Sequence, residues 1–290
     1  MIKNKIIIFL LILGIISGVW IFCIEPYVIQ ITPITILIKN LPESFNKIKI
    51  AHLTDLHSKN FGYREKKIVE MLNKLNPDFI FITGDIIDWK TKDFDSCLIF
   101  WKKLSDSFPN KIFAVYGNHE HKNPKFKTFQ KFFEQSNIKI LENESVKIYN
   151  QDNENNFIDL IGVDDPHSGY DDLEQALKNI DINNKNARIL LAHSPEIFRK
   201  VKKNKLENKD DYKKDINLIL VGHTHGAMIN IPFLWEIWMP LDYDKKYKSG
   251  PFYENDIYMY VNRGIGTSFL PTRFNAFPEI GFLELINNDK

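Results

Sequence analysis

Residues 48–57 read IKIAHLTDLH, an apolar β-rich run that ends in an aspartate and a histidine two positions apart. The pattern recurs in DFIFITGD (78–85), KIFAVYGNHE (111–120), ARILLAHS (187–194) and INLILVGHTH (216–225). Each run is expected to be a strand, and each ends on metal-binding residue types. These are Asp55 and His57, then Asp85, then Asn118 with His119 and Glu120, then His193, and last His223 with His225. Strand ends are where an α/β fold gathers side chains distant in sequence into one crevice. Two aspartates, an asparagine and several histidines form a ligand set for borderline divalent metals. The set exceeds what one tetrahedral ion takes, which favours a two-metal site.

Between these runs the apolar period changes to that of helices. REKKIVEMLNKLN (64–76) places Ile68, Met71, Leu72 and Leu75 on one face. Residues 94–108, 124–136, 171–180 and 195–205 read as further helices, the second of these begun by Pro124. Shorter strands are expected at 138–141, 146–149 and 157–163, and a late pair at 257–261 and 280–286. Helices between strands predict α/β with substantial parallel pairing, and the back-to-back strands near 140–163 add an antiparallel part. Residues 150–156 (NQDNENN) read as a polar turn and 207–214 as a charged loop.

The first residues stand apart from this body. From Ile6 to Ile24 the chain is uncharged, preceded by Lys3 and Lys5 and closed by Glu25-Pro26. A spanning helix needs about 20 apolar residues, and this run is long enough. A cleaved signal segment is the alternative, but the run ends in Trp20, Ile21 and Phe22 rather than in small residues. The reading is a membrane anchor over 1–25, a linker and entry strand over 26–46, and a catalytic domain over 47–290. Lys3 and Lys5 favour a cytoplasmic N-terminus, which puts the domain outside the cytoplasmic membrane as a single-pass protein. Net charge is +1 over 290 residues, so bulk electrostatics gives no case for a nucleic-acid partner. Cys23 and Cys97 are placed for neither a structural disulfide nor a zinc site.

Spacing then suggests roles. Asp55 and His57 would point to one side of an extended strand, and His223 and His225 repeat the interval. Gly84 permits a sharp exit before Asp85. Asn118 offers a neutral oxygen, while His119 beside it points elsewhere, free to act as a general acid.

DLH, GD, GNHE, AHSPE and GHTHG in this order resemble the calcineurin-like metallophosphoesterases, over roughly residues 47–286. The tail YVNRGIGTS…LPTRF…FPEIGFLEL, with the apolar N-terminus, resembles the membrane-associated YaeI-type branch, similar to UDP-2,3-diacylglucosamine pyrophosphatases. The resemblance implies a four-layer sandwich, two mixed β-sheets flanked by helices. It implies Asp55, His57 and His225 as ligands of a first metal, Asp85 as a bridge, and Asn118, His193 and His223 as ligands of a second. His119 would contact the substrate phosphate or protonate the leaving oxygen. The two ions would be Mn, Fe or Zn, and the substrate a phosphodiester or pyrophosphate, with a lipid-linked one suggested by the anchor. Ala227 departs from the family pattern, since a second glycine is frequent after GHTHG.

Other residues have weaker claims. Arg263 and Arg273 have the fork geometry for a substrate phosphate, with structural pairing as the alternative. Trp235 and Trp238, in INIPFLWEIWMPLDY (229–243), suit either ordinary packing or a lip that meets a membrane or lipid tail. His52 is expected in the core, Asp164 and Asp165 in a turn, and His121 and His167 at the surface. Asp88 suits a helix-start cap as well as a supporting role at the site. The expected protein is a monomeric, membrane-anchored dimetal phosphohydrolase. Rival readings are a broad phosphomonoesterase or nucleotidase, and a membrane-tethered scaffold without activity.

Overall fold

The computed structural model describes residues 2–149, 156–181, 183–207, 216–234, 245–268 and 270–288. An apolar helix, α1 (Ile2–Val19), opens the chain and continues through one wider turn at Trp20–Ile24. It is long and apolar enough to cross a membrane, and none of its apolar window is buried in the protein.

The strands are β1 (Gln30–Ile38), β2 (Lys49–Leu53), β3 (Phe79–Thr83), β4 (Ile112–Val115), β5 (Ile138–Ile140), β6 (Glu144–Tyr149), β7 (Phe157–Gly162), β8 (Arg188–Leu191), β9 (Leu218–Val221), β10 (Gly250–Glu254), β11 (Ile257–Val261) and β12 (Glu279–Asn287). They form two six-stranded sheets, in the orders β1-β12-β2-β3-β4-β5 and β10-β11-β9-β8-β7-β6. Both are mixed. In the first, β12 runs antiparallel to β2 while the other neighbours are parallel. In the second, the outer pairs β10–β11 and β6–β7 are antiparallel around a parallel centre.

The helices are α2 (Tyr63–Leu75), α3 (Phe94–Ser107), α4 (Asn118–Lys122), α5 (Phe126–Glu134), α6 (Leu173–Leu177) and α7 (Ile197–Glu207). Three cores separate four layers. Alternate strand residues Ile50, Phe79, Phe81, Ile189, Leu191, Leu218 and Leu220 fill the space between the sheets. Their neighbours Ala51, Leu53, Ile80 and Ile82 face α2, α3 and α5, meeting Ile68, Leu72, Trp101, Phe129 and Phe133. On the other side Leu190, Ala192, Ile219 and Val221 meet α6 and α7 through Leu173, Leu177, Ile197 and Phe198. Strands buried on both faces carry unbroken apolar runs, which is why the five motif strands read as they do.

The sequence reading needs three corrections in detail. The segment 171–180 condenses to the short α6, because Asp172 caps it by accepting from the Gln175 N–H at 2.9 Å and the helix ends at Leu177. Helix α5 begins at Phe126 rather than Pro124. Strand β10 was not anticipated; its opening Gly250-Pro251 reads as a turn, and Pro is tolerated there because the strand lies at a sheet edge. Most of the polar turn at 150–156 and of the charged loop at 207–214 lies outside the described residues.

Candidate metal centre

The motif strands β2, β3, β4, β8 and β9 end side by side, so the loops that follow them converge. Asp55 and His57 do not lie in extended strand as the two-residue spacing suggested. Strand β2 stops at Leu53, and Asp55 and His57 take positive φ of 49° and 45°. Asp85 (48°), His223 (70°) and His225 (50°) do the same. A non-glycine residue held there costs of order 1–3 kcal/mol and persists only where its surroundings fix it. The fixing bonds are present: the Asp55 and His57 N–H groups donate to the carbonyls of Gly84 and Asp85 at 3.1 and 2.9 Å. The Gly222 N–H donates to His193 O at 2.9 Å. Gly222 has to be glycine, since a Cβ would lie 2.1 Å from Thr54 Oγ1 and 2.4 Å from Asp55 Oδ2. At Gly117 a Cβ would come within 2.5 Å of Asp85 Oδ1.

Asp85 lies at the middle of the arrangement. Its Oδ2 is 3.4 Å from His193 Nε2, 3.6 Å from His57 Nε2 and 3.8 Å from His119 Nε2. On one side His57 Nε2 and His225 Nε2 approach to 3.1 Å, with Asp55 Oδ1 3.4 Å from His225 Nε2. On the other, His193 Nε2 is 3.2 Å from Asn118 Oδ1 and 3.1 Å from His223 Nδ1. All seven predicted ligands are therefore brought together, and all are buried. Three overlapping triads could each hold a cation: Asp55–His57–His225, Asp55–Asp85–His193 and His57–Asp88–His119.

The donor chemistry fits cations. Ring nitrogens and carboxylate or amide oxygens crowd together at 3.1–3.8 Å. Among the described residues, Asp55 Oδ1 and His223 Nε2 are buried without a hydrogen-bond partner. A native interior rarely leaves such atoms unmatched unless an ion or water completes them. The charge balance agrees. Burial works to raise the Asp85 carboxyl, but His193 and His119 hold it well below the usual carboxylate range. Burial opposes charge on His193, but Asp85 wins and holds its pKa well above the usual imidazole value. Burial keeps His57, His223 and His225 well below that value and pushes Asp55 up to about 6. The neutral imidazoles of His57, His223 and His225 beside an ionised Asp85 are in the state that metal ligation requires. His193, held charged by Asp85, would release its Nε2 proton to a bound cation.

Two ring orientations follow from hydrogen bonds. His193 Nδ1 lies 2.8 Å from Thr83 O, a carbonyl that only accepts, so Nδ1 carries a proton and Nε2 faces the crevice. His119 has the reverse arrangement. Its Nδ1 accepts from the Trp89 N–H at 3.3 Å, so the ring proton is on Nε2, toward Asp85. Burial holds His119 below the usual imidazole pKa, so it is a neutral N–H donor.

Sequence reasoning overlooked the role of Glu120. It is fully buried, and its carboxylate accepts from the N–H groups of Gly117 (2.7 Å), Asp85 (3.0 Å) and Ile87 (2.9 Å). It thereby ties the GNHE loop to the GD loop. The legible signal was a carboxylate three residues into a helix that begins at Gly117. Asp88 begins no helix; it closes a turn by accepting from the Lys90 N–H at 2.8 Å, and Lys59 Nζ lies 3.3 Å from it.

Arg273 is fully buried; its guanidinium donates to the carbonyls of Gly266, Arg263 and Ala276 and lies 3.3 Å from His225 Nδ1. Its geometry is that of a brace behind His225, with its donors taken up by main-chain carbonyls. Arg263 pairs with Glu279 at 2.9 Å and is partly exposed. Trp235 and Trp238 lie outside the described residues. His52 is core, bonded to Thr83 Oγ1 at 2.8 Å, and burial lowers its pKa to about 3. His167 lies against His223 with ring centroids 4.5 Å apart, at the rim of the crevice.

The chain was compared with known proteins. Residues 48–227 match the model of the calcineurin-like phosphoesterase family. The chain is 31% identical over 261 residues to the metallophosphoesterase YkuE of Bacillus subtilis, covering 89% of this chain and 85% of that protein. A metallophosphoesterase of Aquifex aeolicus is 30% identical, with 89% and 92% covered. A transmembrane protein with metallophosphoesterase domain from Danio rerio is 28% identical over 69% of this chain and 45% of its own length.

Proposed function

The chain belongs to the calcineurin-like phosphoesterase family, and from that premise we propose how its crevice hydrolyses a phosphate ester. It is a metal-dependent phosphoesterase; the residue roles and the class of ester are our reading. Asp55, His57 and His225 would hold one ion, Asn118, His193 and His223 a second, and Asp85 would be shared. The single observation that carries this is the position of Asp85 Oδ2, within 3.4–3.8 Å of imidazoles from three separate loops. When bound, two divalent ions lower the pKa of water and neutralise anionic phosphate oxygens. Mixed O/N ligation suits Mn, Fe or Zn.

The chain's own residues do the rest. His119, neutral and protonated on Nε2, donates to a phosphate oxygen or to the departing alkoxide. Its Nδ1 bond to the Trp89 N–H fixes the tautomer that makes this donation available. Glu120 holds the two loops in register, and Arg273 sets the rotation of the His225 ring. No covalent phosphoenzyme is required. The favoured substrate is a phosphodiester or pyrophosphate, lipid-linked because the crevice adjoins the apolar helix. The reading rests on the resemblance of the tail and the apolar N-terminus to the membrane-associated YaeI-type branch and the diacylglucosamine pyrophosphatases. We further propose a single-pass membrane protein with its domain extracytoplasmic, on the strength of Lys3 and Lys5. That side conflicts with a cytoplasmic nucleotide-activated lipid, and a reporter fused to the C-terminus decides between them.

The test is metal content together with hydrolysis. Purified protein should bind Mn²⁺ and cleave bis-p-nitrophenyl phosphate. Asp85→Ala should abolish turnover and lower metal content, and His119→Asn should keep the metals while losing roughly 10²–10⁴-fold in kcat. Normal turnover in Asp85→Ala would overturn the shared-ligand assignment. Absence of both bound metal and hydrolysis in the unmodified protein would favour the scaffold reading.

A further inference from the structure

The apolar helix does not hang free of the catalytic body. The Trp20 indole N–H donates to Glu25 at 2.7 Å, and the other Glu25 oxygen accepts from the Ala276 N–H at 2.9 Å. The Arg273 N–H donates to Ile21 O at 3.2 Å, and the rings of Trp20 and Phe277 meet edge to face at 6.5 Å. Segment 273–277 is thus docked on the helix end. It is also the partner of the chain leaving the metal centre. Ile229 bridges Phe274, the Asn230 N–H donates to Phe274 O at 2.9 Å, and the Phe274 N–H donates to Met228 O at 2.8 Å. Lys248 Nζ holds the same root through Asn230 Oδ1 at 3.0 Å.

From that root the chain presents three apolar side chains to the outside. Ile231 is 36% exposed, Leu234 51% and Phe233 97%. Phe233 has φ of 67°, a conformation unusual for a bulky residue, and its ring lies open among the described residues. A lone exposed aromatic needs no explanation, but a cluster beside the end of a membrane-length apolar helix does.

We propose that Ile231, Phe233 and Leu234 form a lip that inserts into the lipid bilayer carrying the apolar helix. The helix end marks the bilayer surface, and the lip root is joined to it through a single segment, 273–277. Three further residues reach at most roughly 10 Å, matching the roughly 5–10 Å to which interfacial apolar groups bury. The lip begins three residues after Met228 and so directly follows the turn bearing His225. Its insertion would place the mouth of the crevice at the depth of lipid headgroups. The inference rests on the membrane reading of α1 and is independent of whether the centre hydrolyses anything.

Depth measurement tests it without an activity assay. In full-length protein carrying Cys23→Ser, a single environment-sensitive probe is attached at Phe233→Cys and, as control, at Tyr253→Cys. Tyr253 is 64% exposed on the edge strand β10. Each protein is reconstituted into phosphatidylcholine–phosphatidylglycerol vesicles with and without doxyl-labelled lipids. The probe at 233 should emit to the blue of the control and be quenched by shallow doxyl groups, while the control is unchanged. Equal quenching at both positions overturns the proposal. Shielding of position 233 from aqueous iodide without quenching by doxyl lipid also overturns it, because a protein surface would then be the occupant.

Discussion

At Ala227 a methyl group occupies a backbone position that suits glycine. Its φ is 68°, and Met228 after it is at 42°, so the turn leaving His225 carries strain at consecutive residues. Ala227→Gly removes the clash of Cβ with its own backbone but adds freedom to the unfolded chain, and these terms differ by about 0.5–1 kcal/mol in favour of glycine. Chemical unfolding should therefore show a higher midpoint with unchanged slope. A lower midpoint would mean that packing of the buried methyl outweighs the strain. Glu120 shows the opposite economy, one side chain holding three main-chain donors. Glu120→Ala leaves those donors buried, and a single such group costs about 1–3 kcal/mol. The expected result is a loss of at least about 2 kcal/mol together with loss of bound metal, read by thermal unfolding and metal analysis. Retention of metal with unchanged stability would show that the loops keep their register without it.

Among the elements, those with strong periodicity were the legible ones. The five motif strands and helices α2, α3 and α7 could be read because their apolar positions repeat and their ends carry caps or breakers. Strand β10 was hidden because its content, Gly250-Pro251-Phe252-Tyr253-Glu254, has no buried alternation to show. The ligand set was legible as residue types, but not the way it is presented. A DxH spacing suggests extended chain, whereas the side chains converge through left-handed turns pinned by bonds between neighbouring loops. Such bonds join residues 29 to 168 apart, and local pattern does not contain them. Arg273 illustrates the same limit: in sequence it reads equally as a phosphate ligand or a structural pair, and only the folded chain shows it enclosed by carbonyls.

The contact between α4 and the end of β7 carries a pH dependence. His121 is bonded to Asp164 at 2.7 Å and stacked on Tyr170 at 4.2 Å. Burial disfavours its charge, but Asp164 outweighs this and the pKa is raised above 6.5. The pair's stabilisation is then fully present below the unfolded value near 6.5 and is lost as pH rises through the higher folded value. The difference in Tm between the unmodified protein and His121→Gln should be larger at pH 5.5 than at pH 9. An equal difference at both would remove the charge from the account.

For the whole molecule, the predicted behaviour is that of one coupled body. Glu25 is 1% exposed and joins the apolar helix to segment 273–277. In Glu25→Ala, hydrogen exchange at the Arg273 and Ala276 amides should accelerate while the β3 and β4 amides keep their protection. Unchanged exchange at 273–276 would mean that the helix end is docked by packing alone. Metal should likewise be felt globally. An ion that binds only the folded state at a hundred times its Kd stabilises by about 2.7 kcal/mol. Chelation should lower Tm in the unmodified protein and leave Asp85→Ala unmoved.

The pairing of β1 with β12 has a consequence for biosynthesis. β1 directly follows the apolar helix, lies at the edge of its sheet and, among the described residues, pairs only with β12, over nine parallel positions. On the ribosome the first strand made must wait for the last. Until then the emerging chain displays an unsatisfied β edge and a crevice with no brace behind His225. A product interrupted before Glu279 would keep that edge open indefinitely, a ready mark for proteases and a template for aggregation. Closure of the first sheet thus waits on the strand that begins at Glu279. The fold carries its own proofreading step, in which only copies that include β12 pair the strand that follows the apolar helix.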